Sequence, residues 1–453
     1  MYGEGLGVGL KRLLYLILAL ALILRLLYAL SQDHLAVYTD PGGDSGWYLA
    51  NGYALVTGFD NGYITRPDGT QYPVILSSLP TPPVYLLFNG FWQALLPAES
   101  AVIVIRLLQA LMGTLTCWLA YRLAWKVSGD ARTGLIAAGV LALSPAFVME
   151  TAQIATETLF IFLLAGGLVV YIGSLIVGAQ HAAPLQIWQK MIIAGVLLGL
   201  ATLTRAMLLL FPLGLALHLL LVYGWRRGLR LAGVLLLAYT LIVASWTVYS
   251  YARWQRLVIA GEGFAAFLYV GATPEGWQGG EAVDESLPAG ADERRDEAFT
   301  QGAAEIIRSD PAGYLRRRVT ELAGAALQPH GTLLFSGASL RELAAGWLRD
   351  DRTLSGLAAL TQAESFWPKL ALYVFHFIGL VGGLIGMWLC RGRWRVALPL
   401  AGFILYTLLI HLALTALPRY LFPAALFWWV FASAAAAALL PNHIADPLPN
   451  GEA

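Results

Sequence analysis

The sequence predicts an all-α polytopic membrane protein, a bundle of about ten transmembrane helices with interfacial helices on the outer face and a small extracytoplasmic segment. Three observations carry that prediction. The 453 residues are 58% hydrophobic and 13% charged, with a mean hydropathy of +0.65, whereas soluble domains carry roughly 25% charged residues. Apolar stretches long enough to cross a bilayer recur along the chain, the first in KRLLYLILALALILRLLYAL. Threaded with the N-terminus inside, they gather Lys11, Arg12, Arg122, Lys126, Arg132, Lys190, Arg226, Arg227, Arg230, Arg391, Arg393 and Arg395 on cytoplasmic ends. Only Arg66, Arg205 and Arg419 fall in or beside the short outer connections, the asymmetry that the positive-inside rule describes.

The first span follows the basic flank Lys11-Arg12. A cleaved signal peptide, suggested by the small-x-small triplet Ala29-Leu30-Ser31, fits less well, because Arg25 interrupts the apolar run and roughly 20 apolar residues exceed a usual signal core. Arg25 itself reads as a snorkelling anchor. Between Ser31 and Ser100, DSGWYLANGYALVTG and TPPVYLLFNGFWQALLP are aromatic, poor in charge and too short or interrupted to span. Such helices suit the membrane interface, lying flat on the outer side. Further spans are expected near 100–125, 132–149, 153–177, 190–205, 206–224 and 230–250, which with the first outer loop 31–100 make an N-terminal module over 1–250.

Residues 251–365 differ in kind, since fifteen of the chain's 28 acidic residues lie between 270 and 365. They read as a small extracytoplasmic domain. Asp310-Pro311 supplies a cap and a first-turn proline, so DPAGYLRRRVTELAGAAL is expected to be helical. Its Arg316, Arg317 and Arg318 form either a solvated basic face or a contact for phosphate groups. Spans near 367–390, 395–416 and 420–440 form a C-terminal module over 366–441, with a cytoplasmic tail over 442–453.

Composition also excludes functions. A net charge of +1 leaves no basic surplus for a nucleic acid. The two cysteines, Cys117 and Cys390, sit in or beside separate apolar segments, which argues against a disulfide framework or a thiolate metal site. No metal-binding motif is present, and no cofactor is expected.

Ionisable residues within apolar spans are costly, so each is a candidate for function. Here they collect at outer ends: Arg106 in AVIVIRLLQALMG, Glu150 and Glu157 in METAQIATETLF, Arg205 closing LLGLATLTR, and Arg419 in ALPRYLFP. With Asp44 in the first outer loop they make three carboxylates and three guanidiniums at one membrane face. That set suits a reaction on a lipid-linked phosphate. Arginine grips phosphate oxygens with a planar fork of donors, and a carboxylate takes a proton from an attacking hydroxyl. Each residue also has a plainer role. Asp44 is well placed to cap the helix ending at Gly58, the arginines can snorkel, and Glu150 and Glu157 can cap helices or pair with arginine. His330 in LQPHGTLLF is either an ordinary polar residue or a ligand.

At these residues the chain resembles the GT-C superfamily of integral-membrane glycosyltransferases, above all bacterial members related to protein O-mannosyltransferases and lipid A aminoarabinose transferases. The resemblance rests on the order and sidedness of DSGWYLANGYALVTG, YPVILSSLPTPPVYLLFNGFW, VIRLLQALMGTLTCWLAYRL, ALSPAFVMETAQIATETLFIFLL, GLATLTRAMLLLFPL, SWTVYSYARWQRLVIAGEGFAAFLYVG, DPAGYLRRRVTEL and ALPRYLFPAALF, which together span most of the chain. It implies an enzyme that takes a sugar from a polyprenyl phosphate at the outer face and transfers it, usually with inversion, to an acceptor on a protein, lipid or glycan. By position, Asp44 resembles the catalytic acid of the first outer loop. Arg106 resembles the arginine at the head of the second span, and Glu157 the second acidic position. Arg205, Arg419 and Glu150 are assigned to substrate binding from their chemistry. The chain departs from many relatives at Ser45, where a second acid is expected, which argues against a paired-carboxylate metal site. The plasma membrane of a bacterium is the expected location. The alternatives are a transporter or flippase for a lipid-linked substrate, for which internal repeats and mid-membrane polar groups would be expected, and a polytopic assembly partner indifferent to a change at Asp44.

Overall fold

The computed structural model describes residues 8–38, 44–59, 62–65, 71–74, 81–179, 184–276 and 292–440. Apart from one antiparallel hairpin, β1 (Gly62–Thr65) with β2 (Gln71–Val74), the regular structure among these residues is helical. The hairpin lies within residues 31–100, the segment predicted as the first outer loop, and is an addition to the all-α expectation. The cytoplasmic tail expected over 442–453 lies outside the described residues.

Seven helical runs are long and apolar enough to cross a membrane, and an eighth results if one bent pair is a single span. The chain is thus a multi-pass membrane protein. Two of the runs, Ala206–Trp254 and Phe366–Ala413, have 49 and 48 residues, about twice what one crossing requires. Each is broken near its middle. Helix α9 (Phe211–Trp254) is interrupted at Gly224, whose φ of 72° and ψ of 173° are non-helical. In the second run a 3-10 turn, Cys390–Arg393, separates α15 (Phe366–Leu389) from α16 (Trp394–Ala413). These breaks fall beside Arg226-Arg227 and Arg391-Arg393, where the sequence divided the same runs into separate spans.

The other long helices are α1 (Val8–Ser31), α4 (Ala98–Ser128), α7 (Glu157–Ala179), α8 (Pro184–Thr202) and α17 (Pro418–Ala438). Burial ranks them: the apolar windows of α7 and α17 are 72% and 67% buried, against 22% for α1. The two central helices are therefore α7 and α17. They reach the same end of the bundle at Glu157 and Arg419, the first and second residues of their helices. Helix α17 packs on α15 with little between them, because a Cβ at Gly386 would collide with the carbonyl oxygen of Phe431. Small residues at such contacts let membrane helices approach closely.

The bent pair is α5 (Ala131–Leu143) and α6 (Pro145–Met149), which with the following turn to Ala152 is kinked by 63°. Pro145 lacks the N–H that would continue the helix, so carbonyls at the end of α5 need other donors. Arg25 supplies them. Only 1% exposed, it donates to the Leu141 carbonyl at 2.9 Å and to that of Ala142 at 3.5 Å, as well as to Ala21 in its own helix at 3.1 Å. The snorkelling expectation for Arg25 is therefore corrected: the side chain turns inward to a broken helix.

The two aromatic stretches of the first outer loop form α2 (Asp44–Thr57) and α3 (Pro83–Leu95). Their backbones touch, since a Cβ on Gly90 would overlap the carbonyl oxygen of Gly52. Gln93 of α3 donates to the Leu49 carbonyl of α2 at 2.8 Å, and Tyr85 of α3 donates to Gln109 of α4 at 2.9 Å. Gln109 in turn donates to the carbonyls of Thr151 and Gln153 at 3.0 and 2.6 Å. One chain of hydrogen bonds thus ties the helix that begins with Asp44 to the turn that precedes Glu157.

The segment after α9, predicted to lie outside the membrane, contains α10 (Phe264–Ala272), α11 (Asp292–Ser309), α12 (Pro311–Leu327), α13 (Leu340–Asp350) and α14 (Leu354–Leu360). Helix α12 starts as the sequence indicates, with Asp310 accepting from the Gly313 N–H at 2.8 Å and proline at the first helical position. Its basic run does not stay on one solvated face. Arg318 is 1% exposed and buried against α10.

Candidate active site

Four charged side chains from four elements meet at one end of the bundle. Arg419 lies at the centre. Its Nη1 donates to Asp44 Oδ2, its Nε to Glu157 Oε1, and its Nη2 to Glu157 Oε2 at 3.3 Å. Arg205, in the turn after α8, adds a second guanidinium: Nη1 lies 2.5 Å from Glu157 Oε1 and 3.2 Å from Thr156 Oγ1. The formal charges of the four groups cancel.

Exposure is graded across the cluster. The Glu157 side chain is 0% exposed, Arg205 13%, Arg419 29% and Asp44 57%. Removing a lone carboxylate from water costs several kcal/mol, of the order that only well-placed counter-charges offset. Glu157 has two. It therefore acts as a buried anchor that orients both guanidiniums, while Asp44 stands at the open end.

Aromatic rings enclose the group. Tyr48 lies edge-on to Tyr85 at 5.3 Å, and burial pushes its phenol pKa up while the nearby Arg419 charge opposes that rise. Tyr420 lies between Arg205, 5.8 Å from its ring, and His411, stacked at 5.4 Å. Apolar walls reduce screening, which strengthens each ionic contact.

A second cluster stands beside the first. Glu150, 4% exposed, contacts His330 Nε2 through Oε2 at 2.6 Å. The imidazole packs against Phe422 at 4.3 Å. Gly331, with φ of 92°, allows the chain to turn back immediately after the histidine. The 328–332 loop is thereby fastened to the turn that opens with Glu150.

Arg106 stands apart from both clusters. Its Nε donates to the Ala152 carbonyl at 2.9 Å, and its Nη1 lies 3.1 Å from the Asp33 carbonyl oxygen and 2.7 Å from His34 Nδ1. It fastens the turn after α1 to the turn before α7. Burial, with the Arg106 charge second, holds the His34 pKa below the ordinary imidazole range. Asp33 is held below the usual carboxylate range by the backbone N–H groups of Leu35 and Ala36. Of the six residues singled out in the sequence, the structure thus joins Asp44, Glu157, Arg205 and Arg419 directly, places Glu150 with His330, and gives Arg106 to the backbone. Gln109 and Tyr48 were not singled out. Neutral amides and aromatics carry no charge cost that would flag them.

Among the described residues no three His, Cys, Asp or Glu side chains are grouped to hold a metal ion. Both Asp44 and Glu157 face guanidiniums, and the residue after Asp44 is Ser45. The donor set fits an anion between arginines better than a cation between acids.

Residues 81–251, from α3 through most of α9, match the sequence model of the dolichyl-phosphate-mannose-protein mannosyltransferase family. The match includes Arg106, Glu150, Glu157 and Arg205 and ends before Arg419. Curated proteins yield no match. Among solved structures, the apo oligosaccharyltransferase of Archaeoglobus fulgidus is similar over 94% of this chain and 50% of its own, with a TM-score of 0.55 at 14% identity. AglB from the same organism, in complex with an inhibitory peptide and a dolichol-phosphate, gives 0.53 at 16% identity over 95% of this chain and 50% of that one.

The chain has the GT-C fold. It spans about half the length of these archaeal structures. ArnT from Cupriavidus metallidurans bound to undecaprenyl phosphate covers 93% of this chain and 76% of its own at 17% identity, but its TM-score of 0.39 adds nothing to that assignment. Within this fold the ionic cluster sits at one end of the helix bundle, formed by the first residues of α2 and α7, the turn after α8 and the first turn of α17.

Proposed function

We propose that this protein is an inverting glycosyltransferase that moves a sugar from a polyprenyl-phosphate donor to an acceptor at the outer face of a bacterial plasma membrane. The observation that carries the reading is the Asp44–Arg419–Glu157–Arg205 cluster, in which a buried carboxylate orients two guanidiniums and the fourth charged group, Asp44, remains open. The match of residues 81–251 to a mannosyltransferase family supports it. So does the GT-C fold, shared with a protein solved with a dolichol-phosphate.

In this reading the lipid phosphate approaches along the bilayer and meets the outward edges of Arg419 and Arg205. As the sugar–phosphate bond breaks, charge develops on the phosphate oxygens, and fixed guanidiniums stabilise it without reorganising. Asp44 takes the proton of the acceptor hydroxyl as that oxygen attacks the anomeric carbon from the opposite side. One open carboxylate suffices for a single displacement, which inverts the anomeric centre. The two guanidiniums and Ser45 argue for charge stabilisation by arginine rather than by a metal ion.

The test is transfer from labelled polyprenyl-phosphate sugars by the purified protein in lipid nanodiscs, alongside Asp44→Asn. Native mass spectrometry of the detergent-released protein gives an independent readout, a co-purified polyprenyl phosphate. No transfer from any donor and no bound lipid phosphate would refute the proposal.

A further inference from the structure

We propose that Glu321, on the outer helix α12, is a positioning residue for Arg419, acting through the turn that opens α17. Arg419 must present three nitrogens at once to Asp44 and to both oxygens of Glu157. Its placement depends on the 414–417 connection between α16 and α17. That connection is held from outside the bundle. Glu321 Oε1 accepts from the Ala416 N–H at 2.6 Å and from Thr415 Oγ1 at 2.8 Å, three and four residues before Arg419. Tyr314, two turns earlier on α12, donates to the Ala413 carbonyl at the end of α16 at 3.0 Å.

Arg318 makes Glu321 a fixed group. Its Nη1 donates to Glu321 Oε2 at 2.6 Å and to the Gly271 carbonyl of α10 at 2.8 Å. Tyr314, Arg318 and Glu321 are spaced four and three apart, so they share one face of α12. A side chain at Gly271 would press on the Arg318 guanidinium and on the backbone at Leu414. Helix α10, Arg318, Glu321 and the α17 turn therefore form a continuous contact. Arg318 is 1% exposed, and its charge depends on Glu321 for an ionic partner. The arginine run that the sequence offered as a phosphate contact thus works one step back, setting the position of an arginine that faces the site.

The consequence for chemistry is positional. Displacements of about 1 Å in a catalytic group cost on the order of 100-fold, and Glu321 holds the chain within four residues of Arg419. This rests on the proposed transferase reading for its kinetic effect, though not for its structural one. The experiment compares Glu321→Ala, Glu321→Gln, Arg419→Lys and the double variant Glu321→Ala/Arg419→Lys in nanodiscs. In Glu321→Ala, hydrogen exchange is expected to accelerate at 414–420 while α7 and α15 keep their protection. Its kcat should fall about tenfold with acceptor KM nearly constant. Glu321→Gln keeps an oxygen for the Ala416 N–H but loses the ionic contact with Arg318, so it should restore part of that loss and fall between the wild type and Glu321→Ala. In the Arg419→Lys background Glu321→Ala should change polyprenyl-phosphate affinity by less than about twofold, since both act on one group. Wild-type kcat in Glu321→Ala, or effects that multiply in the double variant, would overturn the proposal. If the wild-type chain transfers no sugar, the transferase reading fails alone, and unchanged exchange at 414–420 would overturn the positioning role by itself.

Discussion

Changing Asp44 to asparagine should push two properties of the site in opposite directions. In the structure Asp44 occupies Nη1 of Arg419, the outward edge of a guanidinium whose other donors face Glu157. A donor phosphate arriving at the same edge must share or displace that carboxylate. Asparagine has nearly the same shape and no charge, so it removes the competitor and leaves the rest in place. The pair is open, with side-chain exposures of 57% and 29%, and solvent-screened pairs contribute about 1 kcal/mol at most. Polyprenyl phosphate should therefore bind up to about fivefold more tightly to Asp44→Asn. Transfer should fall by about 10²- to 10⁴-fold, the range for loss of a general base. Affinity is read by titrating undecaprenyl phosphate into nanodisc-embedded protein, and turnover with a labelled polyprenyl-phosphate sugar. Wild-type turnover in Asp44→Asn would refute its role as base. Equal or weaker binding of the lipid phosphate would refute its competition for Arg419.

Three further outcomes follow from the same geometry. Glu157→Gln leaves Arg205 and Arg419 without their buried counter-charge, so the variant should lose about 3–5 kcal/mol of stability, read as a lowered melting temperature in detergent; an unchanged melting point would contradict the anchoring role. The turn at 33–36 should loosen in acid. His34 has a folded pKa below its unfolded value near 6.5, so its contribution is complete above that pH and is lost as pH falls through the folded value. Exchange protection at 33–36, corrected for the intrinsic pH dependence of amide exchange, should therefore weaken as the pH falls below about 6.5, and His34→Gln should flatten the change. Gly386→Val forces α15 and α17 apart and should cost about 1–3 kcal/mol, whereas Gly392→Ala, with open space around it, should melt like the wild type.

The bundle was legible because hydropathy directly reports what a bilayer requires of a segment. Even the breaks inside the two longest runs were visible as the clusters Arg226-Arg227 and Arg391-Arg393. The hairpin was missed although GYIT and QYPV flank a Pro-Asp-Gly turn signal; four-residue strands are too short to stand out in an aromatic loop. The charged residues that the structure brings together stood out because a charge at the end of an apolar span is costly wherever it sits. Their partners were not legible, since Arg419 lies 262 residues from Glu157 and 375 from Asp44. That blindness explains Arg25 and Arg106. A guanidinium in an apolar helix needs acceptors, but the sequence does not distinguish lipid phosphate, carboxylate and the carbonyls of a broken helix.

Burial then decides which of the joined carboxylates can act on a substrate in the proposed reaction. Glu157 has no exposed surface and both of its oxygens face guanidiniums. An acceptor hydroxyl cannot approach it without dismantling the two arginines that would stabilise the leaving phosphate. Asp44 offers the reverse arrangement: more than half its side chain is exposed, and it begins a helix seated on α3 rather than in the bundle core. Because Gln109 ties α3 to the turn before Glu157, the open acid and the buried one keep a fixed separation. A weakened Gln109 contact should therefore reduce transfer even though Gln109 touches neither carboxylate, and Gln109→Leu, measured for kcat alongside undecaprenyl-phosphate affinity, tests this. Loss of kcat with affinity retained is the expected outcome, because Arg205 and Arg419 keep Glu157 while Asp44 drifts. A parallel loss of both would mean that Gln109 supports the bundle as a whole, and that the alignment of the two acids depends on something else.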